Sequence, residues 1–122
     1  MAIFREITCP QELREILNES CERQTILFKH STTCPISSRA WQEVQNFIKE
    51  SSDKILVGRI KVIESRHISN QATEELGIKH QSPQVLLLHA RQVLWHASHH
   101  EVTQIKLMKA LDYERLPFDL ID

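Results

Sequence analysis

The stretch FKHSTTCPISSRAW, residues 28–41, decides the fold of this chain because it joins a strand to a helix through a cysteine. A hydrophobic run ends at Phe28, a polar loop follows, and Cys34-Pro35 opens a pattern with helical spacing. If Pro35 is the first helical residue, its missing N–H removes no helical hydrogen bond, since the first N–H groups of a helix have no partner within it. Cys34 is then the N-cap, and we expect its sulfur at the positive end of the helix dipole.

This position predicts a reactive thiol. Cysteine reacts as its thiolate, which nearby positive charge and unpaired N–H donors favour. Lys29, His30 and Arg39 add cationic groups close in sequence. The alternative is an inert core cysteine, and the polar loop that precedes Cys34 argues against it.

Length and composition limit the class of protein. The 122 residues have the size of one ordinary domain, and we expect a single domain over residues 1–122. With 41% hydrophobic and 25% charged residues, the composition is that of a globular chain that can bury a core without disulfides. The formal net charge of −1 gives no electrostatic reason to expect nucleic acid or an anionic membrane as a partner.

The first residues, MAIFREITCPQELREIL, are interrupted by charges and lack the apolar centre of a signal peptide. No stretch of the sequence is long and apolar enough to span a bilayer. We therefore expect a cytoplasmic protein, in a compartment where thiols are kept reduced. On that basis Cys9, Cys21 and Cys34 are interpreted as free thiols and not as a disulfide framework.

Hydrophobic patterning predicts a series of short strands. The apolar runs have the length and β-branched content of buried strands, and the last two form a hairpin whose turn lies near His89, Ala90 and Arg91. The predicted strands, the first of them a short additional candidate, are residues 3–7, 24–30, 54–63, 83–89 and 92–97.

Two helices are predicted in the first half of the chain. Thr8 and Gln11 have the spacing of a capping box, with Pro10 in the first turn, and the helical pattern then runs to about Ser20. The second helix follows Pro35, and its apolar face carries Trp41, Val44 and Ile48.

Two more helices are predicted in the second half. Ser69 or Asn70 can cap a shorter helix, which Gly77 ends in the left-handed conformation. The last amphipathic helix carries Val102, Ile105, Met108 and Leu111.

The order of these elements predicts an α/β fold. Strands separated by helices imply βαβ crossovers and a partly parallel sheet, whereas the two closing strands imply an antiparallel hairpin. We expect a mixed central sheet of four to five strands, flanked by helices on both faces.

The layout of strand, Cys-Pro, helix, and then Ser-Pro leading into a hairpin resembles the thioredoxin fold. The stretch FKHSTTCPIS is similar to the YtxJ family, the monothiol bacilliredoxins of Gram-positive bacteria. The resemblance implies a cytosolic thiol-disulfide oxidoreductase whose reactive cysteine is Cys34. Its partners would be proteins carrying mixed disulfides with bacillithiol, and bacillithiol would be a co-substrate, with no bound cofactor.

The same resemblance assigns supporting residues around Cys34. Ser37 stands where a Cys-x-x-Cys motif has its second cysteine, which favours a monothiol route; its hydroxyl is predicted to donate to the Cys34 thiolate. Thioredoxin-like folds have a cis proline before the hairpin, which lies against the active-site loop, and the residue before that proline hydrogen-bonds a bound peptide or thiol through its backbone. The resemblance assigns these two roles to Pro83 and Ser82. Thr33 and Pro35 complete the predicted support.

Bacillithiol carries carboxylates on its malate arm, so cationic side chains near Cys34 are candidate contacts. Lys29, His30 and Arg39 are the predicted ones, together with the N–H groups that follow Cys34.

The other two cysteines are predicted to be secondary. Cys9 belongs to a second Thr-Cys-Pro tripeptide at a helix start, but it lies near the chain end and no second element is expected to converge on it. Cys21 follows Leu13 by eight residues, which predicts a semi-buried position on the same helical face.

The histidines His96, His99 and His100 suggest a zinc site, but the cysteine and carboxylate spacing of such sites is missing around them. We predict a polar loop that leads into the last helix, and no metal site. The C-terminal stretch LPFDLID, residues 116–122, is predicted to be a loose or surface-packed tail.

Two other functions are conceivable for a chain with this cysteine. A cysteine phosphatase needs five residues between its cysteine and arginine, whereas Cys34 and Arg39 are separated by four, with a proline and no glycine among them. A non-catalytic thioredoxin-like stress or interaction module stays open as the alternative, because a fold alone does not establish an activity.

Overall fold

The structure is a computed structural model that describes residues 1–113, so the predicted tail at 116–122 lies outside the described residues. Strands and helices alternate along the chain until a closing hairpin and a last helix. The elements are β1 (Ile3–Glu6), α1 (Pro10–Glu19), β2 (Thr25–His30), α2 (Pro35–Glu50), β3 (Leu56–Lys61), α3 (Arg66–Leu76), β4 (Gln84–His89), β5 (Gln92–Ser98), a 3₁₀ turn (His99–Glu101) and α4 (Gln104–Tyr113).

The strands form one mixed sheet in the order β1-β3-β2-β4-β5. Strands β1 and β2 both run parallel to β3, whereas β4 is antiparallel to β2 and to β5. The predicted α/β class is confirmed, and the short first strand makes this a sheet of five strands. All six residues of the central strand β2 are buried, which explains its continuous apolar run.

Each face of the sheet is covered by a pair of helices. Alternate residues of β2 separate two cores: Ile26 and Phe28 pack with residues of α2 and α4, and Leu27 packs with residues of α1 and α3. Since α2 starts at the end of β2, the first turn of α2 lies at the carboxyl edge of the parallel strands, on the face that it shares with α4.

Glycine at position 58 permits close packing between α1 and β3. A Cβ on Gly58 would overlap the Cδ1 atom of Ile16 and lie 2.7 Å from the Cδ1 atom of Ile7. Both isoleucines are buried, so neither can move into solvent. A side chain at this position would push α1 away from the sheet.

The predicted capping box of the first helix was wrong. Cys9 is the N-cap of α1, because Pro10 occupies its first turn, and its side chain makes no capping hydrogen bond to the described residues. The backbone N–H and the hydroxyl of Thr8 instead donate to Oε1 of Glu12, at 2.8 and 2.9 Å, so Glu12 and not Gln11 holds Thr8.

The predicted start of the third helix was also wrong. Its N-cap is Ser65, one turn before Ser69 and Asn70, because the N–H of Ser65 bonds to the carbonyl of Lys61 at 2.8 Å and turns the chain directly out of β3. The predicted end is confirmed: Gly77 has φ 71° and follows the last helical residue.

Smaller corrections concern boundaries. The strand predicted at 54–63 is limited to 56–61, and the last helix begins at Gln104 because the 3₁₀ turn precedes it. Cys21 is exposed and lies beyond the end of α1, so its predicted semi-buried helical position was wrong. Within residues 1–113, no helix has both the length and the apolar character needed to cross a membrane.

Candidate active site

Cys34 is the N-cap of α2, as the sequence predicts. Its backbone is extended, with φ −104° and ψ 124°, and Pro35 is the first helical residue. The carbonyl of Cys34 accepts the N–H of Ser38 at 3.0 Å, and the thiol is free and half-buried. The first turn of α2 contains no acidic residue, so no carboxylate on that turn competes for the positive end of the helix.

Ser37 holds the loop before Cys34 through a hydrogen bond. This side chain is fully buried, its Oγ accepts the N–H of Ser31 at 2.8 Å, and it lies 3.0 Å from Nδ1 of His30. If Nδ1 is unprotonated, the single hydroxyl proton of Ser37 is donated to His30; if Nδ1 carries the proton, that hydroxyl is left free to donate to Cys34. Among the described residues, the hydrogen bonds of the Ser37 hydroxyl join it to Ser31 and His30 and not to Cys34. The predicted bond to the thiolate would require the tautomer of His30 in which Nδ1 carries the proton.

His30 lies beneath the loop and not at its surface. The residue is 5% exposed, and its ring packs in tilted contacts against Phe28 and Trp41, with centroid distances of 5.4 and 5.9 Å. Burial, reinforced by the charge of Arg59, lowers the pKa of His30, so the ring is held neutral. Its contacts make it a support for Ser37, whereas the sequence suggested an outward contact for a ligand.

Lys29 is not brought to Cys34. Neighbouring strand residues point to opposite faces, so Lys29 lies on the side of α1 and α3, across the sheet from α2. Its side chain is 1% exposed; Nζ donates to Oγ1 of Thr73 at 2.7 Å and lies 3.3 Å from Nδ1 of His80. Burial lowers its pKa to about 8. The predicted contact of Lys29 with the co-substrate is contradicted by this placement.

Ser82 and Pro83 lie beside the Cys34 loop. The bond between them is cis, as the resemblance implied. The pairing of Lys29 with Gln84 places Pro83 next to His30, where β2 ends and the loop begins. The hydroxyl of Ser82 is buried and has no hydrogen-bond partner among the described residues, and the carbonyl of Pro83 accepts the N–H of His99 at 2.9 Å.

Thr33 and Arg39 are both exposed on the Cys34 side, Thr33 in the loop and Arg39 on α2. Arg39 lines a small cavity between α2 and the 3₁₀ turn, and His99 and His100 line the same cavity. Sequence reasoning did not place these histidines beside α2, because that contact joins segments about 60 residues apart and no local pattern encodes it. Among the described residues, no three histidine, cysteine or acidic side chains converge in a way that could hold a metal ion.

Cys9 has the same position in α1 that Cys34 has in α2, with one difference in the first turn. It is the extended N-cap of α1 and precedes Pro10, as Cys34 precedes Pro35, but Glu12 lies in the first turn of α1. Hydrogen bonds from Thr8, and more weakly from Cys9, lower the pKa of the Glu12 carboxyl. The positive end of α1 is therefore already neutralised by a carboxylate, which disfavours a second negative charge on Cys9.

Comparison with known proteins places the chain in a family. A sequence profile of the family described as monothiol bacilliredoxin BrxC matches residues 5–107. The chain belongs to the monothiol bacilliredoxin family. This agrees with the resemblance seen in FKHSTTCPIS, and membership of the bacilliredoxin family supports a redox function as a thiol-disulfide oxidoreductase.

Solved structures show the thioredoxin fold. A candidate oxidoreductase described as having a thioredoxin fold superposes with a TM-score of 0.79 at 22% identity, covering 88% of this chain and 93% of that one. Thioredoxin from Fasciola hepatica gives 0.73 at 13% identity, covering 91% of this chain and 99% of that one. Thioredoxin from Trypanosoma brucei brucei gives 0.70 at 11% identity, covering 92% of each chain.

Proposed function

We propose that the protein removes bacillithiol from protein mixed disulfides and that Cys34 is its catalytic residue. The observation that carries the proposal is the Cys34 corner: a half-buried free thiol caps α2 beyond a polar loop, with no acid in the first turn. Unpaired N–H groups and the helix dipole stabilise a thiolate in that position. The proposal includes a cytoplasmic location, since a free thiolate persists only where thiols are kept reduced.

The reaction is an exchange without net oxidation. The Cys34 thiolate attacks the bacillithiol sulfur of the mixed disulfide, a bond forms between the two sulfurs, and the bond to the client sulfur breaks. The client leaves as a thiolate, which takes a proton from solvent. A second bacillithiol or another small thiol then attacks the adduct and releases Cys34 as a thiolate.

The surroundings of Cys34 support a monothiol route. Position 37, one helical turn along α2, carries a hydroxyl, so no second thiol on that turn can attack the adduct. Cys9 lies at the same edge of the sheet, but two strands away and at the start of a helix on the other face. Cys21 is exposed in the turn after α1. We therefore expect an external thiol to complete the cycle.

The test mixes reduced protein with a bacillithiolated client and weighs both products. We expect a client with a free thiol and one bacillithiol adduct on Cys34. Cys34→Ser must abolish the transfer, whereas Cys9→Ser and Cys21→Ser should leave the first transfer intact. If Cys34→Ser retains the wild-type rate, or the wild type is no faster than free cysteine, the chain is better described as a non-catalytic thioredoxin-like module.

A further inference from the structure

A small basic cavity lies beside the start of α2. Its lining includes Arg39 from α2 and both His99 and His100 from the 3₁₀ turn. Its volume is about 80 Å³. This is roughly the space of two or three liquid water molecules, so it suits a single carboxylate group better than a whole small molecule.

The 3₁₀ turn is held in place against the Cys34 site. The N–H of His99 donates to the carbonyl of Pro83 at 2.9 Å, and the N–H of Val102 donates to the carbonyl of His99 at 3.2 Å. His99 itself has φ 56°, a left-handed conformation that is uncommon for a residue with a side chain. The cavity is thus built from a fixed turn beside Pro83, next to the end of β2 and the Cys34 loop.

One carboxylate, that of Glu43, also lines the cavity, and one of its two oxygens is engaged. Oε1 of Glu43 accepts the N–H of Gln104 at 2.9 Å, so it satisfies an unpaired donor in the first turn of α4. Glu101, in the 3₁₀ turn, forms an ion pair with Lys106. Nδ1 of His99 lies 3.0 Å from Oγ of Ser98, so its Nε2 is the ring nitrogen that remains for an incoming anion. Arg39 and His100 line the same cavity.

The axial position of the cavity along α2 suits a bound co-substrate. Arg39 follows Cys34 by five residues, which is about 7–8 Å along a helix. Ile36 lines the same cavity and belongs to the first turn of α2. A molecule joined to Cys34 by its sulfur can therefore extend one short arm along α2 into the cavity.

We propose that Arg39, His99 and His100 form a pocket that binds the carboxylate arm of bacillithiol while its sulfur reacts with Cys34. The inference rests on the proposed function and replaces the contacts expected from Lys29 and His30, which are buried and bonded elsewhere. Arg39 offers a bidentate fork for a carboxylate, His100 offers an N–H donor in either neutral tautomer, and His99 offers one when its proton is on Nε2, since its Nδ1 is next to Ser98.

The experiment compares two disulfide probes that differ only in the acidic arm. One is bacillithiol disulfide, and the other is the disulfide of cysteinyl-glucosamine, which lacks malate. Reduced protein is mixed with each, the rate of Cys34 adduct formation is followed by mass spectrometry, and each rate is divided by the rate of free cysteine with the same probe. We expect the wild type to prefer the malate probe by about tenfold, the effect of one charge-assisted hydrogen bond.

The variants separate binding from general damage. Arg39→Gln, His100→Gln and His99→Asn should each reduce the preference several-fold without slowing the reaction with the malate-free probe; asparagine is chosen because it tolerates the left-handed backbone. Arg14→Gln on α1 and His67→Gln on α3, both exposed in the wild type, should leave the preference unchanged. The wild-type preference should also fall as salt is added.

The outcomes for the pocket and for the proposed function are distinct. If the wild type forms adducts with both probes but shows no preference beyond that of free cysteine, the pocket is wrong and the proposed function stands. If the pocket variants slow both probes equally, these residues do not read the carboxylate and the inference fails. If the wild type forms no adduct with either probe, the proposed function itself fails.

Discussion

Cys9 and Cys34 share a tripeptide and a local geometry, and they differ in one neighbouring carboxylate. Each follows a threonine, precedes a proline and caps a helix with an extended backbone. Only the first turn of α1 contains an acid, Glu12. A negative charge there offsets the dipole that would otherwise stabilise a thiolate. The contrast predicts that Cys34 is the more reactive of the two thiols.

The first prediction concerns these two thiols. Cys34 should be the most rapidly alkylated of the three cysteines near neutral pH, and Glu12→Gln should accelerate Cys9 several-fold by removing the charge while keeping an acceptor for Thr8. Rates for each thiol follow from mass spectrometry after reaction with iodoacetamide. Glu15→Gln, an exposed change on the same helix, is the control. Faster labelling of Cys9 or Cys21 than of Cys34 in the wild type would overturn the assignment.

The second prediction concerns Ser37. Ser37→Cys should let mild oxidation form a disulfide with Cys34, because the N-cap and the third helical residue lie within one turn. In the tautomer with an unprotonated Nδ1, the neutral ring of His30, 3.0 Å from the present hydroxyl, would accept the proton of the new thiol. The measurement is the loss of two thiols per monomer in a Cys9→Ser, Cys21→Ser background. Reversible loss of two thiols by the wild-type monomer, without added thiol, would contradict the monothiol route.

Single residues also show where sequence reasoning stops. Pro35 was enough to place Cys34 at the N-cap, because only the first turn of a helix accepts proline easily. Lys29 and His30 were grouped as cations near Cys34, although strand alternation places them on opposite faces. The alternation was readable in the sequence; which face α2 would cover was not.

At the scale of elements, the strands and helices were predicted more reliably than their starts. Glycine fixed the end of α3, since Gly77 alone on that stretch adopts a left-handed backbone without strain. The start of α3 was misplaced because several serines there could serve as caps, and the turn out of β3 selected Ser65. The position of the 3₁₀ turn was not predictable from local patterns either, because it depends on the hydrogen bond between the N–H of His99 and the carbonyl of Pro83.

The third prediction concerns the contact between α1 and β3. Gly58→Ala should lower the free energy of unfolding by about 1–3 kcal/mol, because the added methyl group overlaps buried Ile16. Ile16→Val deletes the overlapping Cδ1 atom, so the same glycine change should cost less in that background. Urea denaturation of the four proteins gives the coupling energy.

Gly77→Ala is the control for the double-mutant cycle of Gly58→Ala and Ile16→Val. Within residues 1–113, nothing lies within 4 Å of the site of its Cβ, so its expected cost of about 1 kcal/mol comes from the positive φ. It should therefore show no coupling to Ile16→Val. Strict additivity of Gly58→Ala and Ile16→Val would show that the overlap does not govern this packing.

At the scale of the whole molecule, the composition of layers was predictable and their arrangement was not. Alternating patterns predicted a mixed sheet with helices on both faces, and this is confirmed. The order β1-β3-β2-β4-β5 places the first strand beside the third, a pairing that no local pattern encodes. That order is seen only in the folded structure, because it depends on pairing between segments far apart in the chain.

A buried lysine links three parts of this architecture. Lys29 on β2 bonds to Thr73 on α3 and contacts His80 in the segment that leads to Ser82 and Pro83. Burial lowers the pKa of His80 as well, reinforced by the charges of Lys29 and Arg66, so a neutral imidazole faces the amine. No acidic side chain forms an ion pair with Lys29 in residues 1–113. The charged amine is therefore held by hydrogen bonds alone, and its burial opposes folding.

The fourth prediction follows from the pKa of about 8 for Lys29 in the folded protein, against an ordinary value of 10.5. Between these values the unfolded chain binds more protons than the folded chain, so Lys29 raises the free energy of unfolding as pH increases. Well below pH 8 the cost of the buried charge is fully present. Relative to Lys29→Met, the wild type should gain stability from pH 7.5 to 10 by at most about 3 kcal/mol.

The quantity to compare is the difference in the free energy of unfolding between the wild type and Lys29→Met. Taking this difference removes the contribution of the other groups that titrate in the same pH range. Urea denaturation across this pH range measures the difference. Lys49 is exposed, so the difference between the wild type and Lys49→Met should not change with pH, which makes this variant the control. A constant difference between the wild type and Lys29→Met would mean that the amine keeps its ordinary pKa, and that the bonds to Thr73 and His80 compensate fully for its burial.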